Sequence, residues 1–390
     1  MIVAGAGTGK TKTLAARVAG LVAEGADPDR ILLLTFTRRA AQEMVDRVAA
    51  MTDRRAAARI WGGTFHAISN RLLRIHAEPV GLSPSFTVLD QGDASDLMGL
   101  VRADLSKDLT GRRFPRSDTI ASIHSRMVNS QSKLSAVLDD HFPWCAEHLE
   151  GIRAMLREYT VRKRQQQVLD YDDLLLHWRA LCVSPSVGEL VCRRFDHVLV
   201  DEYQDTNPIQ DDIIRSLSAY AQVTVVGDDA QAIYGFRAAT VDHLRTFEER
   251  FAGARKVTLE QNYRSTNPIL AAANAVLAQS EHHLAKELWS DRSGGVTPKL
   301  VTCSDEGTQS NWVCDRILQL REEGVSLMEQ AVLFRAGHHS DHLELELARR
   351  DIPFVKFGGL KFLEAAHVKD LMSLLRVLDN PADQLAWSRV

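Results

Sequence analysis

The chain has 390 residues, of which 45% are hydrophobic and 25% charged, and its formal net charge is −4. That length is long for one hydrophobic core and predicts two or three domains, while the slightly acidic balance excludes a uniformly basic surface but leaves room for a basic channel diluted by acidic faces. No apolar run approaches the ~20 residues that a membrane helix needs. The five cysteines, Cys145, Cys182, Cys192, Cys303 and Cys314, contain no CxxC pair, which argues against a zinc site or disulfide framework and for a reducing cytoplasm.

In chain order, Ile2-Val3-Ala4 is a short strand that enters a Gly-rich turn. The following helix carries Leu14, Val18, Leu21 and Val22 on one face. Gly25 and Pro28 end it, and Ile31-Leu32-Leu33-Leu34 reads as a buried parallel strand. A helix over about 39–50 and a short strand near Ile60 come next. From 85 to 190 strand-like runs give way to helical periodicity, as in Ile152, Met155, Leu156 and Tyr159, which predicts a helical insertion. Strands return at 198–200, 223–226 and 257–259. Beyond Ser293-Gly294-Gly295, read as a loop or linker, further strands are predicted at 299–301, 331–334 and 354–357. This divides the chain into one α/β domain in two segments, 1–84 and 191–267, a helical insertion at 85–190, and a second, incomplete α/β domain at 268–390.

The chemistry starts at the first turn. Ala4-Gly5-Ala6-Gly7-Thr8-Gly9-Lys10-Thr11-Lys12 lies between a strand and an amphipathic helix. Glycines let backbone N–H groups face phosphate oxygens, and the helix N-terminus favours negative charge. Lys10 is placed to reach the β- and γ-phosphates, and the Thr11 hydroxyl to hold Mg²⁺. Ala4 stands where the common pattern has Gly. A second strand delivers Asp201-Glu202 at its C-terminal tip, where such sheets bind ligands. Asp201 is expected to coordinate Mg²⁺, and Glu202 to orient and deprotonate the attacking water. A third strand ends in Gly227-Asp228-Asp229-Ala230-Gln231, and the Gln231 amide can bond a γ-phosphate.

These residues, with others in the same order, resemble the motifs of UvrD/Rep-type superfamily 1 DNA helicases. Asp201-Glu202-Tyr203-Gln204-Asp205-Thr206-Asn207 resembles the second motif, the stretch from Gly227 to Arg237 the third, and Gln261-Asn262-Tyr263-Arg264-Ser265-Thr266 the fourth. Leu34-Thr35-Phe36-Thr37 and Gly63-Thr64-Phe65-His66 are similar to the DNA-contacting motifs between them. Asp170-Tyr171-Asp172-Asp173-Leu174-Leu175 is similar to the signature that closes the helical insertion. Gly358-Gly359-Leu360-Lys361-Phe362, followed by Asn380-Pro381, is similar to the second motor domain.

The resemblance implies a P-loop NTPase (RecA-like) parallel sheet with a helical insertion, followed by a partial second RecA-like α/β domain. It implies ATP and Mg²⁺ as cofactors, single-stranded DNA and duplex junctions as substrates, and 3′ to 5′ movement. Accessory repair or replication proteins are implied as partners and a cytoplasmic, nucleoid-associated location follows, while no oligomeric state does. Arg264 is implied to reach the γ-phosphate, where such a finger is worth roughly 10³–10⁵ in rate, and Tyr263 to stack on the adenine. Thr35, Phe36, Arg39, Phe65, His66, Tyr234, Phe236 and Arg237 are implied to line the strand-binding groove, where bases stack on rings irrespective of sequence. Two departures stand out: Phe236 where relatives often have Trp, and Arg38-Arg39 where they have Asn-Lys. The run Arg162-Lys163-Arg164 reads as a solvated helix face, with phosphate contact as the alternative.

The chain starts three residues before Ala4, and the family's adenine-reading glutamine and its later motifs are not found. The expectation is therefore a fragment that binds ATP weakly and unwinds little. Other readings are the motor part of a helicase–nuclease, for which no nuclease constellation is found, and a single-stranded-DNA-binding module without turnover. A switch GTPase is a further one, against which Glu202 and Arg264 in one chain argue.

Overall fold

The fold is taken from a computed structural model, which describes residues 1–105, 114–280, 283–357 and 366–390. The motif at 358–362 lies outside the described residues. Contacts divide the chain into two compact units, Met1–Val296 with Met372–Val390, and Thr297–Leu371.

The first unit is built on six parallel strands in the order β3-β2-β6-β7-β1-β8. Their ranges are β1 Ile2–Ala4, β2 Ile31–Thr35, β3 Trp61–Thr64, β6 His197–Val200, β7 Gln222–Gly227 and β8 Val257–Leu259; two short strands, β4 Thr87–Val88 and β5 Val168–Leu169, lie apart. All residues of β2 are buried, because helices cover both faces of a parallel sheet. The pleat sorts them: Leu32 and Leu34 pack with Phe65, Trp178 and Phe195, whereas Ile31 and Leu33 pack with Leu14, Val18, Met44 and Val48. The continuous apolar run in the sequence is the cost-free way to fill two cores from one strand.

Helix α1, Lys10–Ala23, buries Leu14, Val18 and Leu21, the face expected from their spacing. The helix Arg38–Met51 starts where the Thr37 hydroxyl accepts from Ala40 N–H, satisfying one of the free donors of its first turn. The predicted helix and strand near 39–50 and 60 thus become Arg38–Met51 and Trp61–Thr64.

The insertion has its own core. Helices Gln91–Leu105, Ser117–Ser130, Leu134–His141 and Leu149–Gln166 pack Leu97, Met98, Ile120, Ile123, Ile152, Met155 and Tyr159 together. The expectation that strands vanish here needs correcting. β4 and β5 pair in parallel, Thr87 with Val168 and Val88 with Leu169, and clasp the two ends of the insertion. Two-residue strands carry too little alternation to be seen in a sequence. Residues 372–390 also belong to this unit: Leu385 joins the insertion core, Arg376 pairs with Asp93 at 2.5 Å and Asp383 at 2.8 Å, and Asn380 donates to Gln166 O at 3.0 Å.

Lys163 overturns the reading of its basic run as a solvated face. Its ammonium is buried and donates to Asp170 and Asp173, each at 2.6 Å, and Tyr159 OH donates to the same Asp170 oxygen at 2.9 Å. Asp170 and Asp173 also close a capping box on the helix Tyr171–Val183. Lys163 and neighbouring His124 hold the Asp170 carboxyl well below the usual range despite its burial, while burial and Asp170 push Asp173 up to about 7.

Segment 268–296 falls in the first unit, where Asn262 N donates to Trp289 O at 2.7 Å, Leu284 N to Asp229 Oδ2 at 2.7 Å and Lys286 Nζ to Asp228 at 2.7 Å. In the second unit, helices Glu306–Glu322 and Asp341–Arg349 enclose a small core of Cys314, Leu343, Leu347 and Ile352. Among its described residues there is no strand, so the strands expected at 299–301, 331–334 and 354–357 are not formed. A strand is a paired state, and no described backbone of this unit ladders with those segments. Among the described residues no helix is long and apolar enough to cross a membrane.

Replacing Lys163 with Met strands two carboxylates in the insertion core. Losing one partner of a buried ion pair costs about 3–5 kcal/mol, so urea denaturation of Lys163→Met is expected to show that loss, whereas Arg164→Met, at an exposed neighbour, is expected to leave the midpoint unchanged.

Candidate nucleotide site and nucleic-acid interface

The loop between β1 and α1 is formed by backbone geometry that side chains resist. Gly7 and Gly9 have φ of 82° and 86°, the left-handed region in which glycine alone is unstrained. Gly9 caps α1 without a side-chain bond, which leaves the first N–H groups of the helix open to an anion. A Cβ on Gly7 would lie 2.7 Å from Asn262 Nδ2 and 2.9 Å from Arg264 Cβ. Glycine here therefore serves both the turn and the close approach of the segment after β8.

Asn262 makes that approach. Its side chain is buried; Nδ2 donates to Ala6 O at 2.6 Å, and Oδ1 accepts from Arg264 N at 2.8 Å and Ser265 N at 2.7 Å. Tyr263 N donates to Gly7 O at 2.9 Å. Tyr263 and Arg264 are thereby held beside the loop with both side chains exposed. Arg292 donates to the carbonyls of Tyr263 and Arg264, adding a second cation.

Lys10 Nζ donates to Glu202 Oε2 at 2.7 Å. The strand register explains the meeting, since β1 and β6 both flank β7 and all three end on the same side of the sheet. Glu202 has φ 48° and ψ 48°, a left-handed conformation that costs a non-glycine residue on the order of 1–3 kcal/mol and that gathers at functional sites. It turns the chain sharply after β6, so Asp201 and Glu202 project differently although adjacent. Asp201 Oδ1 accepts from Glu202 N at 3.1 Å. Burial, then the Glu202 charge, pushes the Asp201 carboxyl up to about 6, and the same causes push Asp205 to about 7. This is a crowded acidic site that one lysine does not fully compensate.

Gln231 donates to Asp228 Oδ2 at 2.6 Å. Asp228 also receives Lys286 Nζ at 2.7 Å, and the Lys286 side chain, 1% exposed, reaches Asp229 as well. Six residues beyond Asp228 an aromatic shelf begins. Phe36 and Tyr234 lie 4.5 Å apart between centroids, Tyr234 and Phe236 5.7 Å, and the Arg237 guanidinium stands 5.7–5.8 Å from all three rings. Phe236 is 64% exposed with Tyr234 and Arg237 beside its ring. Arg39 is exposed, and Thr35 is buried with its hydroxyl on Thr37 O. His66 stands edge-on to Tyr171 at 5.7 Å. Phe65 does not join the shelf: it is 5% exposed and packs on Trp178 inside the core. As the first residue of the helix Phe65–Ile75, it is turned inward by the amphipathic face of that helix.

Sequence reading missed Gln204, Asn262 and Lys286 as site residues. Gln204 and Asn262 lie inside quoted motifs, but each also bonds a backbone group remote in sequence, Asp228 N and Ala6 O respectively. Lys286 had no sequence signal at all.

Fold and site together define a P-loop NTPase domain of the RecA-like class. Two family models match the chain: UvrD/REP helicase N-terminal domain over residues 1–252, and UvrD-like helicase C-terminal domain over residues 257–390. The chain belongs to the UvrD/Rep helicase family. It is 35% identical to the ATP-dependent DNA helicase UvrD1 of Mycobacterium tuberculosis (strain ATCC 25618 / H37Rv), 36% to the ATP-dependent DNA helicase PcrA of Leuconostoc citreum, and 34% to DNA helicase II of Escherichia coli (strain K12). Each match covers 100% of this chain and 52%, 52% and 54% of those proteins, so the chain spans about half the length of the relatives it matches.

The raised carboxyls give a pH signature. Their folded values of about 6 and about 7 lie above the unfolded value of 3.8, so the native chain binds more protons. The associated stability is full below about pH 4 and is lost as pH rises through 6 to 7. Asp201→Asn is expected to flatten this fall and to raise stability at pH 8 by roughly 1–3 kcal/mol, as read from denaturant titrations at pH 5 and pH 8 without nucleotide.

Proposed function

We propose that this chain carries the ATP-binding and ATP-hydrolysing part of a DNA helicase that moves 3′ to 5′ along single-stranded DNA. The observation that supports this most is the ion pair of Lys10 with Glu202 at the mouth of a glycine-built loop, with Asn262 holding Arg264 beside it. In this reading the N–H groups of the loop and of the first turn of α1 bind the β-phosphate, and Lys10 leaves Glu202 for the β- and γ-phosphates. Glu202, released from Lys10, orients the attacking water and accepts its proton, while Arg264 and Gln231 stabilise the charge on the γ-phosphoryl group. Tyr263, exposed and anchored through its backbone, covers the adenine.

The residues present suit Mg²⁺. Among the described residues no three His, Cys, Asp or Glu side chains form a metal cage, and this ion is commonly held by one or two protein oxygens together with phosphates and water. The Thr11 hydroxyl and the Asp201 carboxylate would be those oxygens, Asp201 being buried beside the Glu202 charge. Bound there, the ion would neutralise charge on the phosphates during transfer.

Single-stranded DNA lies on the Phe36–Tyr234–Phe236 shelf, with bases stacked on Tyr234 and Phe236 and phosphates drawn by Arg39 and Arg237. Residues 1–84 and 191–267 belong to the first motor domain and 85–190 to its insertion; of the segment 268–390 assigned to the second, only 297–371 form a separate compact unit. Duplex junctions are the substrate, repair or replication the setting, and the cytoplasmic nucleoid the place.

ATP hydrolysis by the purified chain with and without oligo-dT is the direct test. Lys10→Ala is expected to abolish turnover, and Glu202→Gln to keep nucleotide binding while lowering turnover about 10²–10⁴-fold. Hydrolysis indifferent to Lys10 sinks the proposal. In fluorescence anisotropy with the same DNA, Phe236→Ala is expected to weaken binding by about 1–3 kcal/mol, and Phe65→Ala to act on stability instead.

A further inference from the structure

Glu202 must keep its place while Lys10 changes partner. Two side-chain donors reach Glu202 Oε2: Lys10 Nζ at 2.7 Å and Gln204 Nε2 at 2.9 Å. A triphosphate in the loop draws Lys10 away, because several phosphate oxygens outcompete a single carboxylate for an ammonium. Gln204 lies closer to Glu202 than to its other acceptor, Asp205 Oδ2 at 3.4 Å. It is 1% exposed, lies on the single turn Tyr203–Asp205, and is fixed at its far end, where Oε1 accepts from Asp228 N at 2.9 Å. A Cβ on Gly227 would stand 2.9 Å from that same Oε1, so glycine at the end of β7 keeps the amide's berth open.

We propose that Gln204 is the positioning residue of the hydrolytic base: it holds the Glu202 carboxylate in register for water once Lys10 has turned to phosphate. The proposal rests on the reading of Glu202 as that base. The left-handed backbone at Glu202 sets where its side chain starts, and the Gln204 amide sets where it ends. The amide is also a bridge. Its donor faces Glu202 at the tip of β6, and its acceptor holds the tip of β7, where the Asp228 carboxylate binds Gln231 and Lys286. The chain that continues from there carries Tyr234, Phe236 and Arg237. A shift of that loop on binding DNA therefore pulls on the group that aims the base.

Two substitutions separate the donor from the acceptor. Gln204→Glu keeps an oxygen for Asp228 N–H but replaces the N–H donor with a carboxylate facing Glu202, whereas Gln204→Met removes both. In DNA-stimulated ATP hydrolysis by the full chain, both are expected to lower kcat roughly 10- to 100-fold, with KM and the affinity for a fluorescent ATP analogue within about twofold of the unaltered chain. Adding Glu202→Gln to either is expected to cause little further loss, because residues that act through one another are not additive. An unchanged kcat in Gln204→Glu overturns the proposal. So does a loss that multiplies in full with that of Glu202→Gln, since a merely structural role would compound in that way. Melting curves accompany both variants, and Gln204→Glu decides if Gln204→Met does not fold. Either overturning result leaves Lys10-dependent hydrolysis by the unaltered chain, the test of the function itself, in place.

Discussion

A lysine and a glutamate 192 residues apart have to meet at one oxygen, and most of the first unit is arranged so that they do. The Lys10 side chain is 9% exposed, too buried to go without a partner, since an ammonium withdrawn from water needs an opposite charge or several acceptors. Glu202 supplies one. The pair stabilises the loop without nucleotide and yet remains exchangeable, because Glu202 is still a third exposed. A site filled permanently by its own ion pair could not take a triphosphate, and one with a bare lysine would not hold its shape. The partly wet pair lies between these two.

The sheet order makes the meeting possible. β7 separates β1 from β6, so the loop after β1 and the acids after β6 stand one strand apart on the same edge. The long insertion leaves after β3 and the helix Phe65–Ile75 and returns into β6. It is not a passive excursion. Asn207, which caps the helix following the acids, donates to Asn129 Oδ1 at 2.7 Å, and Asn129 donates to Asp172 at 2.7 Å. Arg126 donates to Gly235 O at 2.7 Å, within the aromatic loop. The insertion thus grips the chain on both sides of the catalytic strands, through polar groups whose geometry is more demanding than apolar packing.

The parts of this design that could be read in the sequence are those that repeat locally. The glycines, the apolar run of β2 and the Leu14–Val18–Leu21 face each state their structure within a few residues. Asp201 and Glu202 were legible because a strand leads into them. Gln204 and Asn262 were visible only as letters in motifs, since what they do depends on Asp228 N and Ala6 O, brought to them by the sheet. Lys163 was misread because a basic run on a helix is normally solvated, and only the fold shows two aspartates waiting for one of its members. Phe65 was expected in the groove because its motif resembles the family's, yet it packs on Trp178 while His66 faces Tyr171, since successive residues at a helix start point in different directions. The strands expected in the second unit failed for another reason. Their apolar residues fit a strand, but strand formation is a property of pairs, and a sequence shows only one member.

Charge is the last place where a local view and a global view part. The chain is acidic as a whole, but the edge proposed to face nucleotide and nucleic acid carries Lys10, Arg38, Arg39, Arg237, Arg264 and Arg292. His66 shows how that concentration shapes its members: burial first, then the charges of Arg237 and Arg38, lowers its imidazole to about 4. At neutral pH it is therefore an uncharged ring. It stands edge-on to Tyr171 and adds no cation beside the arginines. Burial does most of this and the two arginines add to it, so residues that the motifs group together divide into charge carriers and an uncharged ring.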